Sequence, residues 1–144
     1  MTAVPPLRIP AALDPLGEVT RFVAELTAGS GLGQDEAYRL RLAVEEIVVN
    51  VVEHGYRHDP AGVIELTAGR PERGACVLVE DRAPPFDPSR HARPPNLDLP
   101  PRERPLGGLG LFVATSMLDE LRYERAGDRN RTWLVVRPRE EGTG

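Results

Sequence analysis

Three polar residues stand at a fixed spacing inside an otherwise apolar stretch. Glu46, Asn50 and His54 are four residues apart, so on a helix they form one stripe, while residues 47–49 and 51–52 are Ile and Val. Asn and Glu oxygens suit Mg2+, and a carboxylate near the terminal phosphate of a nucleotide can accept the proton of an attacking hydroxyl. The stripe predicts metal and phosphate chemistry; the same spacing is also typical of a solvated helix face.

A second candidate is an acidic residue at the end of an apolar run. Asp81 follows this run, and residues 82–88 then carry three prolines and Phe86. The carboxylate can accept a hydrogen bond from an exocyclic amine such as that of adenine, and Phe86 with the turn can form an apolar pocket for the base. The alternative is that Asp81 only begins a turn, which is a common role for Asp.

A third candidate is a glycine cluster at the start of a predicted helix. Gly107, Gly108 and Gly110 allow a backbone to approach a phosphate closely, and a helix N-terminus favours an anion. The cluster follows a long loop instead of a strand, which excludes a Rossmann turn, and the chain has no lysine for a Walker loop. A flexible hinge is the alternative interpretation.

Two amphipathic helices precede the second and third motifs. Asp14 can cap the first helix, Pro15 suits its first position, and Gly29 ends it after apolar residues at helical spacing. The second helix is predicted from about residue 34 to residue 54, with Gly55 as its stop, and it carries the polar stripe. Its β-branched run has strand propensity, but the length of the pattern favours a helix.

The rest of the chain predicts two hairpins and one more helix. Strands at 63–68 and 75–80 form the first hairpin, and strands at 122–125 and 132–137 form the second, around residues 127–130. A third helix is predicted over 108–121. We therefore expect an α+β two-layer sandwich, in which a mixed, mostly antiparallel sheet carries the helices on one face.

Composition limits the class of protein. With 144 residues, one domain is expected, with a core over about 7–137 and a flexible tail at 138–144. All 18 basic residues are arginine and the net charge is −4, which disfavours a nucleic-acid partner. No apolar run reaches the length of a membrane helix or a signal peptide. The single cysteine, Cys76, has apolar neighbours and is expected to be a buried hydrophobic residue. We therefore expect a cytoplasmic protein without a membrane partner.

The three candidate motifs together resemble one known family. Residues 46–56, 81–88 and 107–111 are similar, in order and spacing, to the N-box and the two glycine boxes of the GHKL ATPase superfamily, above all its small anti-sigma-factor serine kinases. The resemblance covers roughly residues 13–137 and implies a histidine-kinase-like ATPase fold with ATP and Mg2+ as cofactors. It also implies that residues 83–106 form a lid over the nucleotide.

The resemblance implies a role for each matching position. Glu46 matches the general base, Asn50 the Mg2+ ligand, and Asp81 the residue that recognises adenine. The other implied nucleotide contacts are Asn50 itself, His54, Ala83, Phe86, Arg104, Gly107, Gly108, Leu109, Gly110, Leu111 and Thr132.

Two positions depart from the family pattern. The first glycine box has Ala83 and Pro85 where glycines are usual, so its turn lacks the freedom that glycine gives at positive φ. Active kinases of the family often have an arginine before the second glycine box, where this chain has Leu106 with Arg104 and Arg102 nearby.

The implied partners are proteins. They are a sigma factor or equivalent target and a STAS-type anti-anti-sigma antagonist that is phosphorylated on serine. A homodimer is a further implication, for which Leu7, Ile9, Leu13 and Leu16 offer an apolar surface or else belong to the core. The alternatives are a non-catalytic ATP-binding regulator on the same fold and an isolated histidine-kinase catalytic domain.

Overall fold

The structure is a computed structural model that describes residues 4–69, 71–91 and 108–139. Its strands are β1 (Leu7–Pro10), β2 (Val63–Gly69), β3 (Ala75–Asp81), β4 (Glu120–Ala126) and β5 (Arg129–Val136). Its helices are α1 (Leu16–Ala28), α2 (Gln34–Asn50), which continues as a π-helical turn (Val51–Gly55), a 3-10 turn (Pro88–His91) and α3 (Gly108–Ser116).

The strands form one five-stranded sheet in the order β1-β2-β3-β5-β4. All four pairs of neighbouring strands in the described residues are antiparallel, which confirms the mostly antiparallel sheet. The parallel strand pair that a mixed sheet would contain is not found in this part of the chain. β3 and β5 lie side by side at the centre, with Asp81 opposite Asn130 and Val79 opposite Thr132.

The helices cover one face of this sheet, as predicted. α2 packs on β3 and β5, and both α1 and α3 pack against α2. The alternation of strand side chains sends every second residue into this layer. The largest fully buried side chains come from both layers: Leu40, Val44, Val48, Ile64, Leu66, Val77, Val79 and Leu134.

The opposite face of the sheet carries arginines and one aromatic ring. Trp133 is half-buried, and the guanidinium groups of Arg122 and Arg131 lie 5.6 and 4.8 Å from its ring centre. Glu80 pairs with Arg129 and Arg131 on the same face. Cys76 is buried, as its apolar neighbours predicted, and burial raises the pKa of its thiol.

Several predicted boundaries were wrong. α1 begins at Leu16 and no side chain caps it, so Asp14 is not the predicted cap. α3 ends at Ser116 instead of residue 121, because the Asp119 N–H already donates to the Val135 carbonyl, 2.9 Å away, and the chain enters β4.

The strand β1 is absent from the predicted order of elements. It is too short for a period to show, and pairing with β2 fixes it. Of the apolar residues near it, Ile9 belongs to the core and Leu7 and Leu16 pack against that core, while Leu13 is exposed. Among the described residues, no helix is long and apolar enough to span a bilayer.

Candidate functional site

A cavity lies where the end of α2 faces the ends of β3 and β5. We call it the base cleft; its volume is about 100 Å3. The side that α2 and its π-helical turn provide consists of Ile47, Asn50, Val51, His54 and Gly55. The strands and the turn after β3 provide Asp81, Ala83, Pro84, Pro85, Phe86, Pro88, Asn130 and Thr132. The structure thus brings together residues from the first two predicted motifs.

The last turn of the second helix differs from the regular helix that the sequence predicted. Residues 51–55 form a π-helical turn, in which the Tyr56 N–H donates to the Val51 carbonyl, 2.8 Å away. Such wider turns inside helices are frequent at functional sites. Asn50 and His54 both still line the base cleft.

The π-helical turn places Gly55 against the turn that follows β3. A Cβ atom at Gly55 would lie 3.0 Å from the Cβ of Ala83, which is itself buried. The absence of a side chain at Gly55 therefore makes room for the methyl group that Ala83 carries in place of the usual glycine.

Asn50 is a largely buried residue whose amide has no hydrogen-bond partner among the described residues. Its exposure is 7%, and among the described residues no group hydrogen-bonds to its side chain. Asn50 lines the base cleft, so its amide is available to a ligand there. Its amide oxygen is a hard donor of the kind that Mg2+ prefers, so the residue fits the predicted metal position.

Glu46 lies beside the base cleft, at the first turn of α3. A Cβ atom at Gly110 would be 2.9 Å from Glu46 Oε2, so a side chain at this position would displace the carboxylate. The neighbouring Glu45 points elsewhere: its Oε2 accepts a bond from the Thr20 hydroxyl at 2.6 Å and lies 3.7 Å from Arg41. The structure therefore separates the two adjacent acids, and only Glu46 lies near the glycine cluster.

Asp81 is buried at the end of β3 and accepts two hydrogen bonds on one oxygen. Its Oδ1 receives the Ala83 N–H at 3.0 Å and the Asn130 side-chain amide at 2.8 Å. Burial raises the pKa of the Asp81 carboxyl, while these two bonds and the charge of Arg125 oppose the rise. No described residue hydrogen-bonds to Oδ2, which leaves that oxygen for a donor in the cleft.

Asn130 is the site residue that the sequence analysis missed. The sequence placed it in a hairpin turn, but the turn is shorter and Asn130 lies in β5, opposite Asp81. It is 3% exposed, and its oxygen accepts hydrogen bonds from Tyr123 and Arg125 of β4. A two-residue turn at Gly127 and Asp128 was the available sequence signal. Because strand side chains alternate, such a turn predicts that Tyr123, Arg125 and Asn130 all lie on the helix-covered face.

The turn after β3 forms without glycine. Within the described residues only Arg57 and His58 combine a side chain with a positive φ, so Ala83 and the two prolines after it need no left-handed conformation. Hydrogen bonds hold the turn instead: the Ala83 carbonyl accepts from Arg125 at 2.8 Å and from Asn130 at 3.0 Å.

The remaining predicted contacts divide into three groups. Thr132 is buried and lines the base cleft beside Phe86. Leu111 lies in the hydrophobic core, so its side chain packs the fold. Gly108 and Leu109 begin α3, whereas Arg104 and Gly107 lie outside the described residues, as does most of the predicted lid.

Comparisons with known proteins agree on one family. The family model for the histidine kinase-like ATPase domain matches residues 9–136. The serine-protein kinase RsbW of Bacillus subtilis (strain 168) is 27% identical over 125 residues, which cover 82% of this chain and 76% of that protein. RsbW of Bacillus thuringiensis (strain Al Hakam) is 25% identical over 134 residues, covering 91% and 82% of the two chains.

A solved structure shows the same fold. The RsbU and RsbW domains of Rv1364c from Mycobacterium tuberculosis superpose with a TM-score of 0.59 at 22% identity, over 96% of this chain. This chain spans 35% of that larger one, so the likeness concerns the fold alone. The family model spans both the polar stripe of α2 and the base cleft, and the chain belongs to the histidine kinase-like ATPase domain family.

Proposed function

We propose that this chain binds ATP with Mg2+ in the base cleft and acts as a serine/threonine-protein kinase and anti-sigma factor of a bacterial partner-switching system. One observation supports the ATP assignment: Asp81 and Asn50 line one cavity. Asp81 is a buried carboxylate, and Asn50 is a largely buried amide to which no other described residue hydrogen-bonds. The first suits the amine of adenine, and the second suits a metal bound to phosphates.

The polar residues suggest how the nucleotide lies. Adenine sits against Asp81 and Thr132, with Phe86 and the prolines as apolar walls, and the phosphates extend past Asn50 and His54 toward the first turn of α3. The free N–H groups of that turn, at Gly108 to Gly110, favour an anion. Residues 83–106, which include Arg104, complete this proposal as the lid, and Gly107 and Leu109 as further nucleotide contacts.

Glu46 is the proposed general base. Its carboxylate lies beside Gly110, at the end of the site where the terminal phosphate is placed. There it accepts the proton of the serine hydroxyl that attacks the phosphate. Most of the rate acceleration comes from holding the hydroxyl and the phosphate in the positions that the reaction requires. Asn50 would hold Mg2+, which would supply positive charge against the charge that develops on the phosphates.

The names of the relatives support a protein substrate that is phosphorylated on serine. Two matched proteins carry the name serine-protein kinase RsbW, at 25% and 27% identity. In the proposed cycle the chain holds a sigma factor or equivalent target in one state. In the other it binds a STAS-type anti-anti-sigma antagonist and phosphorylates it on serine. We place this cycle in the cytoplasm and include a homodimer in the proposal.

A non-catalytic regulator is the second candidate. The observation that favours it is the turn after β3, where Ala83 and Pro85 replace the usual glycines. In this case ATP orders the lid and selects the partner, but no phosphate is transferred.

Phosphotransfer from labelled ATP to a STAS-type antagonist that binds the chain distinguishes the two functions. We expect Glu46→Gln to bind ATP normally but to lose phosphotransfer by about 100-fold or more, the range for a positioned proton acceptor. Glu45→Gln is the matched control, because Glu45 bonds Thr20 and faces away from the glycine cluster. Full activity of Glu46→Gln would remove the base assignment, and ATP binding without transfer by the wild type would favour the regulator.

A further inference from the structure

We propose that Asn130 is a positioning residue that sets purine selectivity, because it holds Asp81 as a hydrogen-bond acceptor and fixes the turn beside it. The inference rests on the proposed binding of ATP in the base cleft. It concerns a residue that the motifs of the sequence do not include.

Asn130 connects three segments of the site. Its Nδ2 lies 2.8 Å from Asp81 Oδ1, 3.0 Å from the Ala83 carbonyl and 3.1 Å from the Pro84 carbonyl. On its other side, Oδ1 accepts from the Tyr123 hydroxyl and from Arg125 Nη1. The amide is thus surrounded by partners from β3, β4 and the turn.

These partners allow only one orientation of the amide. Backbone carbonyls can only accept hydrogen bonds, so the group that faces Ala83 and Pro84 must be the NH2. A guanidinium can only donate, so the group that faces Arg125 must be the oxygen. Asn130 therefore always presents a donor to Asp81.

A fixed donor settles which hydrogen bonds Asp81 can offer. Its Oδ1 already accepts from Asn130 and from the Ala83 N–H, and both bonds favour the ionised carboxylate, whose Oδ2 can only accept. Oδ2 is left to accept from a ligand. A 6-amino purine supplies a donor at that point, whereas a 6-oxo purine presents a second acceptor that repels the carboxylate.

The same amide replaces the missing glycines as the fixed point of the turn. The bonds to the Ala83 and Pro84 carbonyls tie the segment that walls the cleft to the central strand β5. Loss of these bonds therefore moves the wall and frees the acceptor at the same time, so base selectivity is affected more than phosphate binding.

Titration of the wild type and of Asn130→Asp with ATP and with inosine triphosphate tests the proposal. The new carboxylate has the same shape, and the donors Tyr123 and Arg125 favour its ionised form, which cannot donate to Asp81. Repulsion between the two acids then favours a proton on Asp81, and a proton on Oδ2 presents a donor to the base in place of the acceptor. We expect the ratio of ATP affinity to inosine triphosphate affinity to fall by about tenfold or more, in line with 1.5–3 kcal/mol for a hydrogen bond to a charged group. An unchanged ratio overturns the proposal.

A second variant decides the case if Asn130→Asp does not fold. Tyr123→Phe combined with Arg125→Met removes both donors to the amide oxygen and also the bond from Arg125 to the Ala83 carbonyl. The amide and the turn both lose part of their support, and we expect the same ratio to fall. Arg122→Met is the matched control, because Arg122 lies on the same strand but stacks on Trp133 on the other face. If the double variant keeps the wild-type ratio, the role of Asn130 is refuted while the proposed ATP binding stands. If the wild type binds no ATP, both the proposed function and the role of Asn130 are refuted.

Discussion

Asp81→Asn separates recognition of the base from stability of the fold. The substitution keeps the shape of the side chain, and its Oδ1 can still accept from Asn130 and from the Ala83 N–H. Only the atom in place of Oδ2 changes, from an acceptor to an NH2 donor. The variant should therefore fold and present the wrong hydrogen-bonding group to adenine.

The expected loss of affinity follows from the bond that is removed. A hydrogen bond to a charged group contributes about 1.5–3 kcal/mol net, and 1.36 kcal/mol corresponds to a factor of ten, so ATP should bind about 10- to 150-fold more weakly. Inosine triphosphate should lose much less, or gain, because its oxygen can accept from the new amide.

At neutral pH, Asp81→Asn should raise the free energy of unfolding even though it lowers the affinity for ATP. Burial raises the folded-state pKa of Asp81 above its ordinary value of 3.8, so the native state binds more protons than the unfolded state between these two values. The contribution of Asp81 to stability therefore falls as the pH rises through this window. The neutral amide lacks this dependence, and the variant should gain stability relative to wild type as the pH increases.

Calorimetric titration and urea unfolding at several pH values measure both effects. Wild-type ATP affinity in Asp81→Asn would refute contact between Asp81 and the base. A large fall in the free energy of unfolding would refute the view that this carboxylate serves ligand binding and not the fold.

Two glycines give further predictions. Gly110→Ala should place its methyl group against the Glu46 carboxylate, 2.9 Å away, and lower phosphotransfer by about 10- to 100-fold with little change in ATP affinity, since a small misplacement of a reacting group has effects of this size; an unaffected transfer rate would contradict the placement of Glu46. Gly55→Ala should lower the free energy of unfolding, measured in urea, by about 1–3 kcal/mol, because the new methyl group overpacks against Ala83. Adding Ala83→Gly to the same chain should restore the stability, whereas unchanged stability of Gly55→Ala would show that the two residues are not tightly packed.

The parts of the fold that sequence could predict are those with a local signal. The period of α1 and α2, the end of α1 at Gly29 and the two hairpins were confirmed by the structure. Gly55 is the last residue of the π-helical turn, and Tyr56 takes the cap position. The end of α3 and the strand β1 were not predictable, because pairing across the sheet fixes both. The π-helical turn has no signal in the local sequence, and its last residue, Gly55, packs against Ala83 from a distant segment.

The site shows the same division. Asp81 and Asn50 stand out in sequence because each interrupts or ends an apolar run. Asn130 carries no such mark, and its importance comes from its position opposite Asp81 in a neighbouring strand. The lack of glycine at Ala83 and Pro85 predicted a strained turn after β3. Side chains from β4 and β5 instead hold this turn by hydrogen bonds, at negative φ.

Calorimetric titration of ATP with and without Mg2+, on the wild type and on Asn50→Ala, tests the central claim most directly. Asn50 is buried in the base cleft, and no described residue hydrogen-bonds to its side chain, so its removal should leave the fold intact. We predict that the wild type binds ATP more tightly with Mg2+, and that Asn50→Ala loses this increment while keeping its Mg2+-free affinity. A wild type that binds no ATP, or a variant that keeps the full effect of Mg2+, would contradict the account.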